Sequence, residues 1–204
     1  NSVGQPAISG VTPIGLPSYN ADSVKGYGYN PAKARQLLAE AGFPNGKDLP
    51  EIKLYTNNDY LDLCTFITRQ WEDLGIKVKI ELLESATLRE MMKKGQATFF
   101  RASWIMDYPD AENYMSLFYS KNAAPPNYTR FKNAEFDRLY EAALLENDDK
   151  KRFDLYHQMD RIIIEEAPVI FLFYDETARF AATNVNGLRT NASNLLTLKE
   201  VRLE

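Results

Sequence analysis

Histidine and cysteine are nearly missing from this 204-residue chain, which has one of each, His157 and Cys64. A lone cysteine excludes an intrachain disulfide, which fits the cytoplasm and disulfide-free extracytoplasmic proteins equally. A lone histidine leaves a Ser-His-Asp relay or a His-based metal site without companions. Cys64 shares helical spacing with Ile67, Trp71 and Leu74, so it reads as a buried apolar residue rather than a nucleophile. The ten glycines are scattered, and none form a phosphate-cradling loop. No apolar run is long enough to span a bilayer. Basic residues are outnumbered, 24 Lys and Arg against 28 Asp and Glu, and they do not cluster. A net charge of −4 argues against a nucleic-acid partner and against an anionic membrane surface. The opening Asn1-Ser2-Val3-Gly4 lacks the charged and apolar regions of a signal peptide.

Apolar residues are plentiful, at 45% hydrophobic and 12% aromatic, enough for one large domain or two small ones. Residues 1–29 are broken by Pro6, Gly10, Pro13, Gly15, Pro17, Gly26 and Gly28, and read as an extended surface lead-in. Asn30-Pro31 predicts a helix start, with Ala34, Leu37, Leu38 and Ala41 as its apolar stripe and Gly42 as its stop. Alternation predicts strands over 51–57 and 76–82. Between them lies a helix with Leu63, Phe66, Ile67, Trp71 and Leu74 inward. Ser85 is expected to cap a helix ending at Gly95, and a further strand begins at Ala97. Strand–helix–strand–helix–strand predicts an α/β fold with a parallel βαβαβ core. Three helices follow, at 111–118, 133–146 and 148–166, the last with Phe153, Tyr156, Met159 and Ile163 inward. Val169–Tyr174 reads as a strand buried on both faces, with short strands at 179–182 and 198–203 in a polar tail.

The stretch Arg101-Ala102-Ser103-Trp104-Ile105-Met106-Asp107-Tyr108-Pro109-Asp110 stands out. An apolar run meets a carboxylate, an aromatic, a proline and a second carboxylate, and Tyr108-Pro109 cannot continue a strand. Loops past the carboxyl ends of strands are where α/β sheets bind ligands. Asp107 has two readings, a turn aspartate bonding its own backbone or a carboxylate facing a cleft and open to a cation. Asp110 suits a helix N-cap. Trp104 and Asp107 fall on opposite faces of a straight strand, so the backbone must bend near Met106 for both to line one pocket.

Four stretches resemble one family in order and spacing: Tyr29–Phe43, Gln70–Val78, Arg101–Asp110, and Arg152–Tyr156 continuing to Glu165–Ile170. The chain resembles the C-terminal lobe of the extracytoplasmic solute-binding proteins of family 5, the oligopeptide and dipeptide receptors of ABC importers. The resemblance implies a type II periplasmic-binding-protein lobe with a mixed sheet. It makes residues 1–204 a single ligand-binding lobe, with 1–29 and 184–204 near a hinge and the N-terminal lobe and secretion signal outside this sequence. It implies a non-catalytic receptor for peptides, working with an ABC importer permease in the periplasm or at the cell surface as a lipoprotein-type protein. No cofactor, metal or catalytic residue is expected. The family's ammonium-binding aspartate corresponds to Asp107 and its tryptophan to Trp104. Arg101 aligns with an arginine near the cleft of some oligopeptide receptors, Tyr108 lies in the family's loop, and Asn57 and Asn58 end an earlier strand at the cleft edge. The alternatives are a receptor for an oligosaccharide or a metal chelate, and a hydrolase using Asp107 and Asp110.

Overall fold

A computed structural model describes residues 4–191 and 195–204, so the first three residues of the expected lead-in and residues 192–194 of the expected tail lie outside the described residues. The chain forms two compact units. The first comprises Asn1–Tyr27, Ile105–Asn122 and Thr129–Glu204, the second Gly28–Trp104 and Ala123–Tyr128.

In the second unit, helix α1 (Pro31–Glu40) starts where Asn30 Oδ1 accepts the Lys33 N–H at 2.9 Å. Strands β2 (Ile52–Thr56) and β3 (Val78–Leu82) pair in parallel from Ile52↔Val78 to Thr56↔Leu82, joined through helix α2 (Leu61–Glu72). The strand expected from Ala97 shrinks to a single parallel bridge, Tyr55↔Phe100. Thr98 and Phe99 bend, so only one residue reaches the register. The Tyr55 and Arg101 N–H groups still bond across it, each at 3.0 Å, which leaves β2 flanked on both sides. Helix α3 (Ser85–Lys94) buries Leu88 and Met92 with Ala97, and Tyr55, Met91 and Phe100 pack against them.

Three expectations for this unit need correction. No residue of α1 is buried, so its stripe is only half covered. The inward face of α2 centres on Cys64 and Thr68, one position on from the expected stripe, and that rotation leaves Phe66 61% exposed. Ser85 does not cap α3. Glu84 holds the N-cap position without a side-chain bond, and Ser85 instead accepts a hydrogen bond from Asn57.

The first unit packs helices α4 (Glu112–Met115), α5 (Ala134–Leu145) and α6 (Asp149–Glu166) around Met106, Met115, Phe118, Phe136, Leu139, Met159 and Ile163. Phe118, Phe131 and Phe136 meet edge to face, the arrangement ring quadrupoles favour. Asn133 caps α5 by accepting from Glu135 and Phe136, and Asp148 caps α6 by accepting from Lys151. Strand β1 (Gly4–Pro6) pairs antiparallel with β4 (Phe173–Asp175), and β5 (Val185–Asn186) with β6 (Arg202–Leu203).

The lead-in is not a surface wrap. Leu16 and Val24 are buried, as are Ser9, Thr12 and Ser18. One face of α6 grips its backbone. His157 Nε2 donates to the Ser18 carbonyl at 2.7 Å, Asp160 accepts from Val11 and Thr12, and Arg161 Nε donates to the Ser23 carbonyl. His157 is therefore a buried structural residue. Val169–Tyr174 is not buried on both faces. Among the described residues β4 has one partner strand, so only Tyr174 is buried while Ile170 is 58% exposed. Arg179–Ala182 forms no strand, and Phe180 is 96% exposed with nothing to pair on.

Candidate functional site

The chain turns at Asp107, directly after the buried Met106 anchors it in the first unit's core. Asp107 itself is exposed. Its N–H donates to Asn113 Oδ1 at 3.3 Å, and Asn113 Nδ2 donates back to Asp107 Oδ2 at 3.4 Å. Asn113 is buried in α4, so a rigid amide holds the carboxylate from beneath while its other oxygen, Oδ1, remains for a ligand. The bend expected near Met106 therefore begins at the next residue. The partner of the carboxylate is a side chain six residues on rather than Asp107's own backbone, which departs from the turn reading.

Tyr108 is also exposed, and its hydroxyl donates to Glu112, which accepts Tyr140 on its second oxygen. Burial and then Glu112 push both phenols up from their ordinary value. Asp110 is not the N-cap expected of it: Ala111 holds that position without a side-chain bond, and Asp110 lies one residue before it. Its Oδ1 accepts from the Glu112 N–H and the Tyr156 hydroxyl, each at 2.9 Å, and its Oδ2 accepts Arg152 Nη1 at 2.6 Å. Arg152 also donates to Asp149 at 2.7 Å. Asp149 and then Asp110 hold the guanidinium proton more tightly than usual. Tyr108, Asp110, Glu112, Leu144, Arg152 and Tyr156 line an open cavity of about 310 Å³. With both oxygens of Asp110 engaged by donors, a paired-carboxylate hydrolase has no free second acid at this position.

The remaining candidates belong to the second unit. Asn57 follows the buried end of β2. Its Nδ2 donates to Ser85 Oγ at 2.9 Å and to Asp59 at 3.3 Å, while its Oδ1 is buried without a hydrogen-bond partner. Asn58 is exposed and opens the short turn to Tyr60. The Arg101 guanidinium lies 3.0 Å from the centre of the Tyr60 ring, and Nη1 donates to Ser103 Oγ at 3.4 Å. Arg101 Nε is buried with no hydrogen-bond partner. Asn57 follows β2 and Arg101 follows the Phe100 bridge, and each carries one buried polar atom without a hydrogen-bond partner. A stacked guanidinium is preorganised for a planar anion. Trp104 is half-buried and is the last residue of its segment in this unit.

Sequence reasoning missed Asn113 and Tyr60. Asn113 lies at the right distance after Asp107 to reach back, but a mid-helix asparagine carries no sign of burial. Tyr60 meets Arg101 through tertiary contact alone.

The sequence profile of bacterial extracellular solute-binding proteins, family 5 (Middle), matches residues 1–126. Heme-binding protein A of Haemophilus influenzae is 36% identical over 159 residues, 75% of this chain and 29% of that protein. Di/tripeptide-binding protein 1 of Pseudomonas aeruginosa is 28% identical over 204 residues, 97% of this chain and 37% of that protein. Among solved structures, the ABC transporter-associated periplasmic binding protein DppA from Helicobacter pylori, in complex with peptide STSA, superimposes with a TM-score of 0.81 at 28% identity. That match covers 99% of this chain and 40% of the other. The chain therefore spans well under half the length of the relatives it matches, and its fold is that of a type II periplasmic-binding-protein lobe. The chain belongs to the bacterial extracellular solute-binding proteins of family 5.

Proposed function

We propose that this chain is one ligand-binding lobe of an ABC-importer receptor that captures peptides outside the cytoplasm, and that the same polypeptide supplies a second lobe. The carrying observation is Asp107, an exposed carboxylate pinned by the buried Asn113 at the position of the family motif. Such a group suits a peptide's α-ammonium, a charge-assisted contact worth about 1.5–3 kcal/mol. Within the first unit Tyr108, next to Asp107 in the chain, offers aromatic surface to the ligand. The receptor delivers its ligand to a permease and performs no chemistry on it.

Calorimetry on the full-length protein tests this reading. A short peptide with a free amino end binds, and Asp107→Ala weakens it at least about tenfold, one charge-assisted bond's worth. Unchanged affinity refutes the role of Asp107.

A second reading has one observation in its favour, the name of the 36%-identical relative, a heme-binding protein. On that reading the solute is a metal chelate. Mass spectrometry of what co-purifies with the full-length protein separates the two: peptides support the first reading, a porphyrin the second.

A further inference from the structure

Asp160 is a buried carboxyl that the ligand site does not use. It is 1% exposed in the middle of α6. Its Oδ1 accepts the Val11 N–H at 2.6 Å and its Oδ2 accepts the Thr12 hydroxyl at 2.8 Å. The Thr12 backbone N–H bonds it as well, all three donors are neutral, and among the described residues no cation bonds it. The lead-in backbone is pressed against it: a Cβ on Gly10, whose φ is +85°, would lie 2.2 Å from Oδ1.

The titratable groups around it are few. Tyr174 on β4 donates to the Gly10 carbonyl, and Tyr19 of the lead-in packs edge-on against Tyr174. On α6, His157 and Arg161 are committed to the carbonyls of Ser18 and Ser23. From α4 and α5 the first unit's core receives Met115, Phe136, Leu139 and Ala143, which are uncharged, and the phenol of Tyr140, which donates to Glu112.

A carboxylate buried against neutral donors alone is poorly compensated for its lost hydration. A carboxylic acid in the same place keeps both bonds, one oxygen accepting from Val11 and the other sharing a proton with the Thr12 hydroxyl. We propose that Asp160 is a proton-linked clasp: as a neutral acid it seats the segment Ser9–Thr12 on α6, and release of its proton to solvent loosens that segment. Burial supports this direction, pushing the carboxyl up to about 7 from an ordinary value of 3.8, against the opposing pull of Val11 and Thr12. Because the seated state holds the proton more tightly, the clasp is firm in acid and weakens as pH rises through 7. If opening returns the carboxyl to its ordinary value, linkage makes the opened fraction rise about tenfold between pH 6 and pH 8.

Carbon-13 NMR of the Asp160 carboxyl in the wild-type protein, with amide hydrogen exchange at Val11 and Thr12, tests this. The expected carboxyl midpoint is near pH 7. Exchange at the two amides, corrected for intrinsic base catalysis, should rise about tenfold from pH 6 to 8. In Asp160→Asn, which mimics the neutral acid, that rise should vanish. A carboxyl midpoint below pH 5 overturns the proposal, as does an equal rise in Asp160→Asn. If Asp160→Asn does not fold, the wild-type carbon titration alone decides.

Discussion

Asp110→Ala should destabilise the first unit by about 3 kcal/mol, and the contacts say where the loss arises. The Glu112 N–H loses its side-chain acceptor, about 1 kcal/mol. The Tyr156 hydroxyl, on a ring that is 1% exposed, loses a 2.9 Å acceptor, and a buried donor left without its partner costs about 1–3 kcal/mol. The Arg152 pair adds less, about 0.5 kcal/mol, because its side chain is a quarter exposed and keeps Asp149. In a chain of this length the melting temperature should fall by about 6–12 °C. Asp110→Asn retains one acceptor oxygen and should lose about 1 kcal/mol. Urea unfolding followed by circular dichroism measures both, and a cycle with Tyr156→Phe isolates the Tyr156 contact as about 1 kcal/mol of coupling. A loss below 1 kcal/mol for Asp110→Ala would refute the network. Wild-type stability together with abolished turnover of a peptide or glycoside panel would instead make Asp110 a catalytic acid.

Three further outcomes follow from the packing within each unit. Gly10→Ala forces a Cβ onto Asp160 at a positive φ and should lower unfolding stability by about 2–4 kcal/mol; a change under 0.5 kcal/mol contradicts the seated lead-in. Ile163→Ala at the fully buried centre of α6 should cost about 3–4 kcal/mol, while Phe66→Ala on the exposed side of α2 should cost less than about 1 kcal/mol; comparable losses in urea unfolding would reject this assignment of inner faces. Asp160 sets a pH dependence: its folded value lies above its ordinary one, so its contribution is complete below about pH 4 and is lost as pH rises through 7, a swing of about 4 kcal/mol. Unfolding free energies that are flat from pH 5 to 8 would contradict it.

Legibility in the sequence divides by the range of the interaction. Helix ends are local, so Asn30-Pro31 was readable from capping chemistry alone, and Gly95 stops α3 at a φ of +72°. The stripe Tyr156, Met159 and Ile163 was readable because helical period and burial agree. Asp160 was not, since an aspartate within an amphipathic helix reads as a solvent-facing charge until the lead-in backbone covers it. The strand from Ala97 and the run Val169–Tyr174 failed for a related reason. Apolar β-prone residues mark a capacity to pair, whereas pairing depends on a neighbour elsewhere in the chain. Phe100 bridges to the single residue Tyr55, and among the described residues β4 pairs with β1 alone. Of the candidate site, Asp107 was legible as the carboxylate where an apolar run breaks. Its support by Asn113 and the Arg101–Tyr60 stack were not, because both depend on how residues fold back on one another.

The proposed function turns on Asp107 binding the amino end of a peptide. The most direct test is calorimetry of the full-length protein with one peptide in two forms, free and N-acetylated, in wild type and in Asp107→Asn. Acetylation should weaken wild-type binding at least about tenfold, and Asp107→Asn should remove most of that difference, since both changes delete the same contact. Equal binding of the two forms by the wild-type protein would contradict it.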